Sequence, residues 1–472
     1  MTTAPIIYWT RRDFRLGDNP ALVAACAAGA PVIPVFILDE AVEGHGAAPK
    51  WRLGLGAEAF GAALAAAGSR LIYRRGNALE VLRALVRETG AAAVHWTRLY
   101  DPDSRKRDEA VKSGLKADGV NAVSHAGHVL FEPWTVETQT GSYYKVYTPF
   151  WKTVRDRGQA EALARPRIAA PDQWPDSDSV ADWKMGAAMD RGAEVVRPYL
   201  NIGEDAARVR LENFISAGID GYRDARDDLA VNGTSLLSEN LTYGEISART
   251  CWHAGARAMA DGKPGAETFL KELVWRDFAY HLVHHTPRIT SGNWRPEWDA
   301  FAWKTDTGLP EVRDWTRGRT GMAVVDAAMR EMYVTGRMHN RARMLVASYL
   351  TKHLMIHWKI GLDWFADCLV DWDPASNAMG WQWSAGSGPD ATPYFRVFNP
   401  ETQAEKFDRQ GRYRMRWLAE ISSKPLETAT RYFDAIPRGW EMGPHDAYRA
   451  TPIVSASEGR RRALEAYGNR GF

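Results

Sequence analysis

Residues 6–22 read Ile6-Ile7-Tyr8-Trp9-Thr10-Arg11-Arg12-Asp13-Phe14-Arg15-Leu16-Gly17-Asp18-Asn19-Pro20-Ala21-Leu22. The first four form an apolar run of strand length, β-branched and aromatic in character. A charged turn with three arginines follows. Asn19-Pro20 then offers a polar N-cap with proline at the first helical position, and the Ala-rich stretch 20–28 continues as a helix. Working outward, Val32–Leu38, Leu71–Tyr73 and Ala92–Trp96 are further strand-length runs, with the Ala-rich 57–67 between them. Strands alternating with helices over the first ~130 residues predict a parallel sheet covered on both faces. Ligands of such sheets gather beyond the strand carboxyl ends, where Arg11, Arg12 and Arg15 emerge.

Residues 160–200 are rich in Pro, Asp and Ala and predict a segment wrapping between domains. Beyond 200 the strand signals vanish. Apolar residues fall at helical spacing over 205–217, 266–285, 322–335, 340–358 and 362–370, so the second half is expected to be helical.

The 472 residues are 45% hydrophobic and 25% charged, which excludes disorder as the main state. With 60 basic and 58 acidic residues the net charge is +2, so any nucleic-acid surface must come from local patterning. No run of about 18 apolar residues predicts a membrane span, and the start lacks the pattern of a secretory leader. Three cysteines, Cys26, Cys251 and Cys368, are too few and too far apart for a disulfide framework, so a cytoplasmic protein is expected. Twenty tryptophans stand out, thirteen of them after residue 250. Either a large aromatic core or stacking on flat ligands explains them.

The motifs divide. Gly54-Leu55-Gly56 lacks the third glycine and the preceding strand of a dinucleotide fingerprint. His281, His284 and His285 share a helix face, but no carboxylate accompanies them at motif spacing, so packing is the expected role. Gly233-Thr234-Ser235-Leu236-Leu237-Ser238 offers small donors that could cradle a diphosphate, or merely cap a turn. Glu272, Trp275 and Arg276 project from one helix face, and Asn340, Arg343 and Met344 from another. Faces mixing charge with large apolar groups make poor core stripes, which points to a lined cavity. Asp371 and Asp373 repel if both are buried, so at least one needs a cation, with Arg343 a candidate. From Arg396 to Arg416, six basic residues alternate with aromatics, as on a nucleic-acid surface or a solvated face.

Together these segments resemble the photolyase/cryptochrome family, most closely its class I cyclobutane pyrimidine dimer photolyases. The likeness runs from Arg11–Leu22 through Glu272–Phe278, Gly318–Gly321, Val325–Arg330, Met338–Arg341, the 371–383 segment and Pro393–Pro400. It implies an α/β domain over 1–130 with a Rossmann-like parallel five-stranded sheet, a connector over 131–203, and an all-α domain over 204–472 that binds FAD and DNA. It implies FAD contacts at Tyr222, Thr234, Ser235, Leu236, Leu237, Ser238, Arg276, Asn340, Arg343, Asp371, Asp373 and Asn377. Asp371 would pair with Arg343, and Asn377 would face flavin N5. A neutral amide there tolerates the reduced anionic flavin that is the active form.

The resemblance further implies light-driven repair of pyrimidine dimers in UV-damaged DNA, the dimer being flipped into the cavity; photolyases are among the established base-flipping enzymes. Glu272 would hydrogen-bond the dimer, Trp275 and Trp383 wall it, and Asn340 and Met344 floor it. Arg226, Arg341 and Arg396 would hold DNA. Trp381, Trp358 and Trp303 would feed electrons to oxidised flavin. A monomer is expected. Asn340 and Met344 replace the histidines of six-four photolyases, and Asn377 the aspartate of plant-type cryptochromes; a cryptochrome-like receptor without repair is the alternative. Arg337 stands where many relatives have Trp. The stretches 46–51 and 101–105 lack the folate-binding His and Asn-Glu, which favours a deazaflavin over folate as second, antenna chromophore.

Overall fold

The computed structural model describes residues 3–27, 29–189, 191–391 and 393–472; the last residue of the predicted 20–28 helix lies outside them. Five strands, β1 (Ile6–Thr10), β2 (Val32–Leu38), β3 (Ile72–Arg75), β4 (Ala93–Thr97) and β5 (Asn121–His125), form one parallel sheet in the order β3-β2-β1-β4-β5. β1 and β2 are buried along their whole length, which is why both read as unbroken apolar runs. β5, Asn-Ala-Val-Ser-His, pairs only with β4 at the sheet edge, and its polar residues left no apolar run to read. In the register Trp9 lies opposite Val35 and Trp96. The intervening helices are α1 (Pro20–Ala27), α2 (Ala47–Ala66), α3 (Ala78–Thr89) and α4 (Pro102–Ala117). Gly54 and Gly56 lie inside α2, so no dinucleotide loop exists there.

The three arginines after β1 do emerge at the strand carboxyl end, but all are buried and structural. Arg15 donates to three backbone carbonyls, of Asp18 (3.0 Å), Gly127 (3.0 Å) and Gly244 (2.9 Å). Arg11 pairs with Asp108 at 2.6 Å. Asp13 accepts from Tyr8, Thr10, Thr97 and the Arg11 N–H, so the turn is fixed from within. A charged turn that spends its donors this way staples domains together instead of presenting ligand groups.

After α5 (Tyr147–Val154) and a long connector, the helices that position the site are α6 (Glu204–Asn213), α7 (Ala248–Ala260), α8 (Ala266–His285), α9 (Ala323–Thr335), α10 (Asn340–Ser348), α11 (Trp358–Cys368), α12 (Pro374–Ala385), α13 (Pro400–Phe407), α14 (Arg412–Trp417) and α15 (Ala456–Gly468). One expected helix, 340–358, is divided. It widens into a π-turn over Tyr349–His353 and stops where Met355 takes a left-handed φ of 56°. There Ile356 pairs with Lys304 instead, and α11 starts at Trp358. The tryptophan-rich core lies among α9, α10, α11 and α12.

A buried ionic cluster joins the two domains. Arg52 of α2 donates to Glu239 (2.6 Å) and Glu245 (2.7 Å), all three essentially without solvent contact. Arg337, at the position of an expected departure from relatives, ion-pairs with Glu239 from the other side, and Arg210 stands 3.7 Å away.

Candidate functional site

Helix α8 supplies one wall of the site. Glu272, Arg276 and Tyr280 follow at i, i+4 and i+8 and share one face. Glu272 ion-pairs with Arg226 at 2.5 Å, both partly exposed. Trp275 is half-buried and lies flat on Tyr147, ring centroids 3.6 Å apart at 7°. The Glu272 charge and burial both push the Tyr147 phenol up, burial more strongly. Arg276 turns toward the first domain, donating to the His128 carbonyl (2.7 Å) and meeting the His128 ring (3.0 Å). Burial, helped by Arg276, holds His128 neutral.

The opposite wall comes from α10 and the start of α12. The buried carboxylate of Asp371 meets Arg343 Nη2 at 2.8 and 3.0 Å and accepts from Ser238 Oγ at 2.7 Å. Asp373 caps α12, accepting from Ser376 N (2.7 Å) through one oxygen and from Tyr280 through the other. The two acids are therefore kept apart in role: one neutralised by a cation, the other satisfied by neutral donors. One turn further on, the Asn377 Nδ2 is buried and has no hydrogen-bond partner in the protein. A buried amide left with an unspent donor is costly unless a ligand accepts from it.

The 233–238 turn closes this side. Leu236 adopts φ 52°, unusual for a branched residue and a form of strain that concentrates at ligand clamps. Its carbonyl is held by Arg210 at 2.7 Å. Thr234 and Ser235 remain partly exposed, and Ser238 exposed. Leu237 and Tyr222 are buried, Tyr222 packing edge-on against Phe214. Asn340 is exposed at the start of α10, with Met344 half-buried a turn later; Trp383 is half-buried on α12. Arg341 pairs with Asp227 at 2.8 Å over the Phe407 ring, and Arg396 is exposed on the 393–399 loop.

A flat ligand with an amide edge and a diphosphate meets the right groups here: the unspent Asn377 donor, the Arg343–Asp371 pair and the hydroxyls of the 233–238 turn. The residues present therefore fit FAD.

Trp381, Trp358 and Trp303 are all buried. Trp381 packs against the backbone of Gly361, where a side chain of any size would collide with the indole. Gly361 lies one turn after Trp358 on α11. Trp358 is fully buried and donates to Asn293 at 2.8 Å. The His357 ring lies 5.3 Å from Trp358 and 5.4 Å from Trp303. Trp315 contacts Trp381 instead, at 6.1 Å, and stands at the other end of the row.

Some sequence expectations resolve differently. Along the 394–417 stretch, Tyr394, Tyr413 and Trp417 are core residues and Arg414 bonds Asp408, while Arg396, Lys406, Arg409 and Arg412 stay exposed, so the aromatics are largely packing and the basic residues largely a solvated face. Phe395, 57% exposed beside Arg396, is the aromatic that reaches solvent. His281 is spent on Pro133 O and Tyr144 N, and no metal-holding cluster occurs among the described residues. The loop after β2 does carry a histidine, His45, just before the 46–51 stretch; it packs edge-on to Trp372 at 5.5 Å with Nδ1 unpartnered. Tyr280, eight residues after Glu272, is the third member of the α8 face and is legible from the same period. Tyr147 and His128 had no local signal, because only the tertiary fold brings them to α8.

Comparison with known proteins agrees with this geometry. Residues 6–171 match the family described as DNA photolyase, and residues 269–469 match the FAD binding domain of DNA photolyase. A deoxyribodipyrimidine photo-lyase of Agrobacterium fabrum is 43% identical, over 99% of this chain and 98% of that protein. The crystal structure of a class III photolyase from Agrobacterium tumefaciens superposes with TM-score 0.88 at 41% identity, covering 99% of this chain and 98% of the other. An archaeal photolyase structure from Sulfolobus tokodaii, described with two FAD molecules, superposes with TM-score 0.81 at 28% identity, covering 98% and 100%. Sheet order, the two family matches and near-complete coverage at this identity lead to one conclusion: the chain belongs to the DNA photolyase family.

Proposed function

We propose that this protein repairs cyclobutane pyrimidine dimers in DNA with light, as a deoxyribodipyrimidine photo-lyase using FAD. Full-length identity to a protein of that name carries the reading, and the α8 face supports it. Bound FAD, fully reduced and excited by a photon, supplies the electron that opens the cyclobutane ring and returns afterwards.

The chain's own residues hold and orient. Thr234, Ser235 and Ser238 serve the diphosphate end, with Tyr222, Leu236 and Leu237 forming its wall. Arg343, fixed by Asp371, and Arg276 line the ring system. Asp373, held by Tyr280, positions α12 so that the Asn377 amide donates to the ring without adding negative charge. Glu272 faces the dimer, while Trp275, backed by Tyr147, and Trp383 give flat apolar walls that exclude water. Asn340 and Met344 form the floor. Arg226, ion-paired with Glu272 and partly exposed, is suited to exchange that carboxylate for a DNA phosphate. Arg341 and Arg396 flank the opening.

On this reading 1–130 is the antenna domain, 131–203 the connector and 204–472 the catalytic domain of a monomer. The 41% identity to a structure described as class III favours that subgroup over the class I expected from motifs. A second chromophore of flavin type suits the first domain, in keeping with the two FAD molecules of the Sulfolobus relative. The test is direct: purified protein should carry FAD, and after reduction and illumination it should restore dimer-containing oligothymidine. Colourless protein, or reduced holoprotein that leaves dimers intact, refutes it.

A further inference from the structure

The hydroxyl-bearing 233–238 turn is braced by residues that lie outside it. Leu236 sits there at φ 52°, a conformation that a branched residue keeps only where its surroundings over-determine it. Two contacts do so. A Cβ on Gly233 would lie 2.4 Å from the Ala225 carbonyl oxygen, so the start of the turn rests directly on backbone. Further along, Arg210 Nη1 donates to the Leu236 carbonyl at 2.7 Å and to Asn240 Oδ1 at 3.0 Å. Asn240 in turn donates to Glu245 (2.6 Å) and to the Asn201 carbonyl (2.8 Å). Arg210 thus ties the strained residue to the buried ionic cluster between the domains.

The charges of that cluster do not balance. Arg52, Arg210 and Arg337 gather on Glu239, and Glu245 is the second acid, so three guanidiniums face two carboxylates. Asp371, which accepts from Ser238, is already neutralised by Arg343. The surplus is felt within the cluster. Burial first, and then the neighbouring Arg337, pull the Arg210 pKa down to about 10 against the attraction of Glu239. Arg337 Nε is buried with no hydrogen-bond partner. An interior cation without a countercharge is costly unless an anion compensates it. Glu239 directly follows Ser238, so the surplus lies one residue along the chain from the hydroxyls assigned to the diphosphate end of the FAD site.

We propose that Arg210 is a positioning residue for the FAD diphosphate, clamping the Leu236 turn, and that Arg337 adds the surplus positive charge which the diphosphate balances. This rests on the FAD reading of the 233–238 turn and extends it to two residues outside that turn. The two arginines act differently. Arg210 works by hydrogen bond and charge together. The Arg337 side chain bonds Glu239 and, among the described residues, no member of the turn, so it works by charge alone.

The test uses the full-length protein, stripped of FAD and reloaded. Kd is read from quenching of flavin fluorescence across a range of salt, for FAD and for riboflavin, which has the ring system but no phosphate. Arg210→Gln should raise the Kd for FAD about tenfold, the ratio expected from losing one charge-assisted bond. Arg337→Gln should raise it about threefold, the size of a partly exposed charge pair. Both should flatten the salt dependence of FAD binding and leave riboflavin binding unchanged. Arg210→Lys should restore the salt dependence but only part of the affinity, since the planar fork is gone. Should Arg210→Gln fail to fold, Arg210→Lys and Arg337→Gln decide; should riboflavin bind too weakly to measure, the salt dependence decides. FAD and riboflavin weakened by the same factor, or FAD binding and salt dependence equal to wild type in the variants, overturn the proposal. Weakened FAD binding in Arg210→Gln with an unchanged Arg337→Gln keeps the clamp and overturns the surplus-charge role. Wild type that takes up no FAD refutes the FAD reading itself. Repair at saturating FAD should be equal in wild type and variants, so failure here is distinct from failure of the repair function.

Discussion

Replacing Arg52 by Met keeps the length and apolar stem of the side chain but removes the cation on which Glu239 and Glu245 both depend. All three groups are essentially without solvent contact, and the bonds are 2.6 and 2.7 Å. Breaking a buried pair by removing one partner costs about 3–5 kcal/mol, because a charge is left uncompensated in the interior. Glu239 keeps Arg337 and Glu245 keeps Asn240 Nδ2 at 2.6 Å, so the lower end, about 3 kcal/mol, is expected. For a chain of this length, unfolding as one unit with about 2.1 cal/mol/K per residue, that corresponds to about 3 °C in Tm. The pH dependence carries the mechanism. In the wild type, burial opposes ionisation of Glu239, but Arg52 and Arg337 outweigh it and hold the carboxyl below its ordinary value. Its stabilisation is thus full above about pH 4.3 and lost as pH falls through the folded value. In the variant Glu239 loses one of the cations that hold its carboxyl down, so acidification relieves it. The stability difference should be largest near pH 8 and shrink toward pH 5, measured by denaturant unfolding at each pH. Because Glu239 follows Ser238 directly, FAD retention on dilution should also drop. A difference below about 1 kcal/mol, or one constant with pH, refutes the reasoning, since an exposed pair would give no more.

Glu272→Ala should slow dimer repair while FAD stays bound; an unchanged quantum yield removes the carboxyl from its assigned place. Trp358→Phe should abolish photoreduction of the oxidised protein yet leave repair by chemically reduced protein intact, and it frees Asn293, at a stability cost of about 1 kcal/mol. Asn377→Asp should shorten the lifetime of the reduced flavin in air, and equal lifetimes count against the charge argument. Asp277, buried with Oδ2 on the Leu130 and Phe131 amides, has its pKa pushed up to about 7, chiefly by desolvation. A carboxyl raised on folding destabilises progressively as pH rises from about 4 to its folded value, by up to about 1.4 kcal/mol per pH unit. Asp277→Asn should flatten wild-type stability loss across that window, and parallel curves would dismiss the shift.

The sequence by itself determined the strand–helix alternation of the first domain, because buried parallel strands must be apolar throughout and the helix entry at Asn19-Pro20 is a local matter. It also marked the mixed faces of α8 and α10, since a 3.6-residue period places Glu272 with Arg276 and Asn340 with Arg343 whatever surrounds them. Spacing could not say what those faces would meet. Arg11, Arg12 and Arg15 carry the charge of ligand groups, yet all three are buried, and Arg15 is spent on carbonyls more than a hundred residues away. The basic–aromatic run ending at Arg416 looked like one surface, but helix packing sends Tyr413 and Trp417 into the core and leaves Phe395 outside. The break of 340–358 at His353 depended on a pairing of Ile356 with Lys304 that no local propensity encodes. Periodicity fixes which side chains share a face; only long-range packing decides whether that face meets solvent, a ligand or another chain segment.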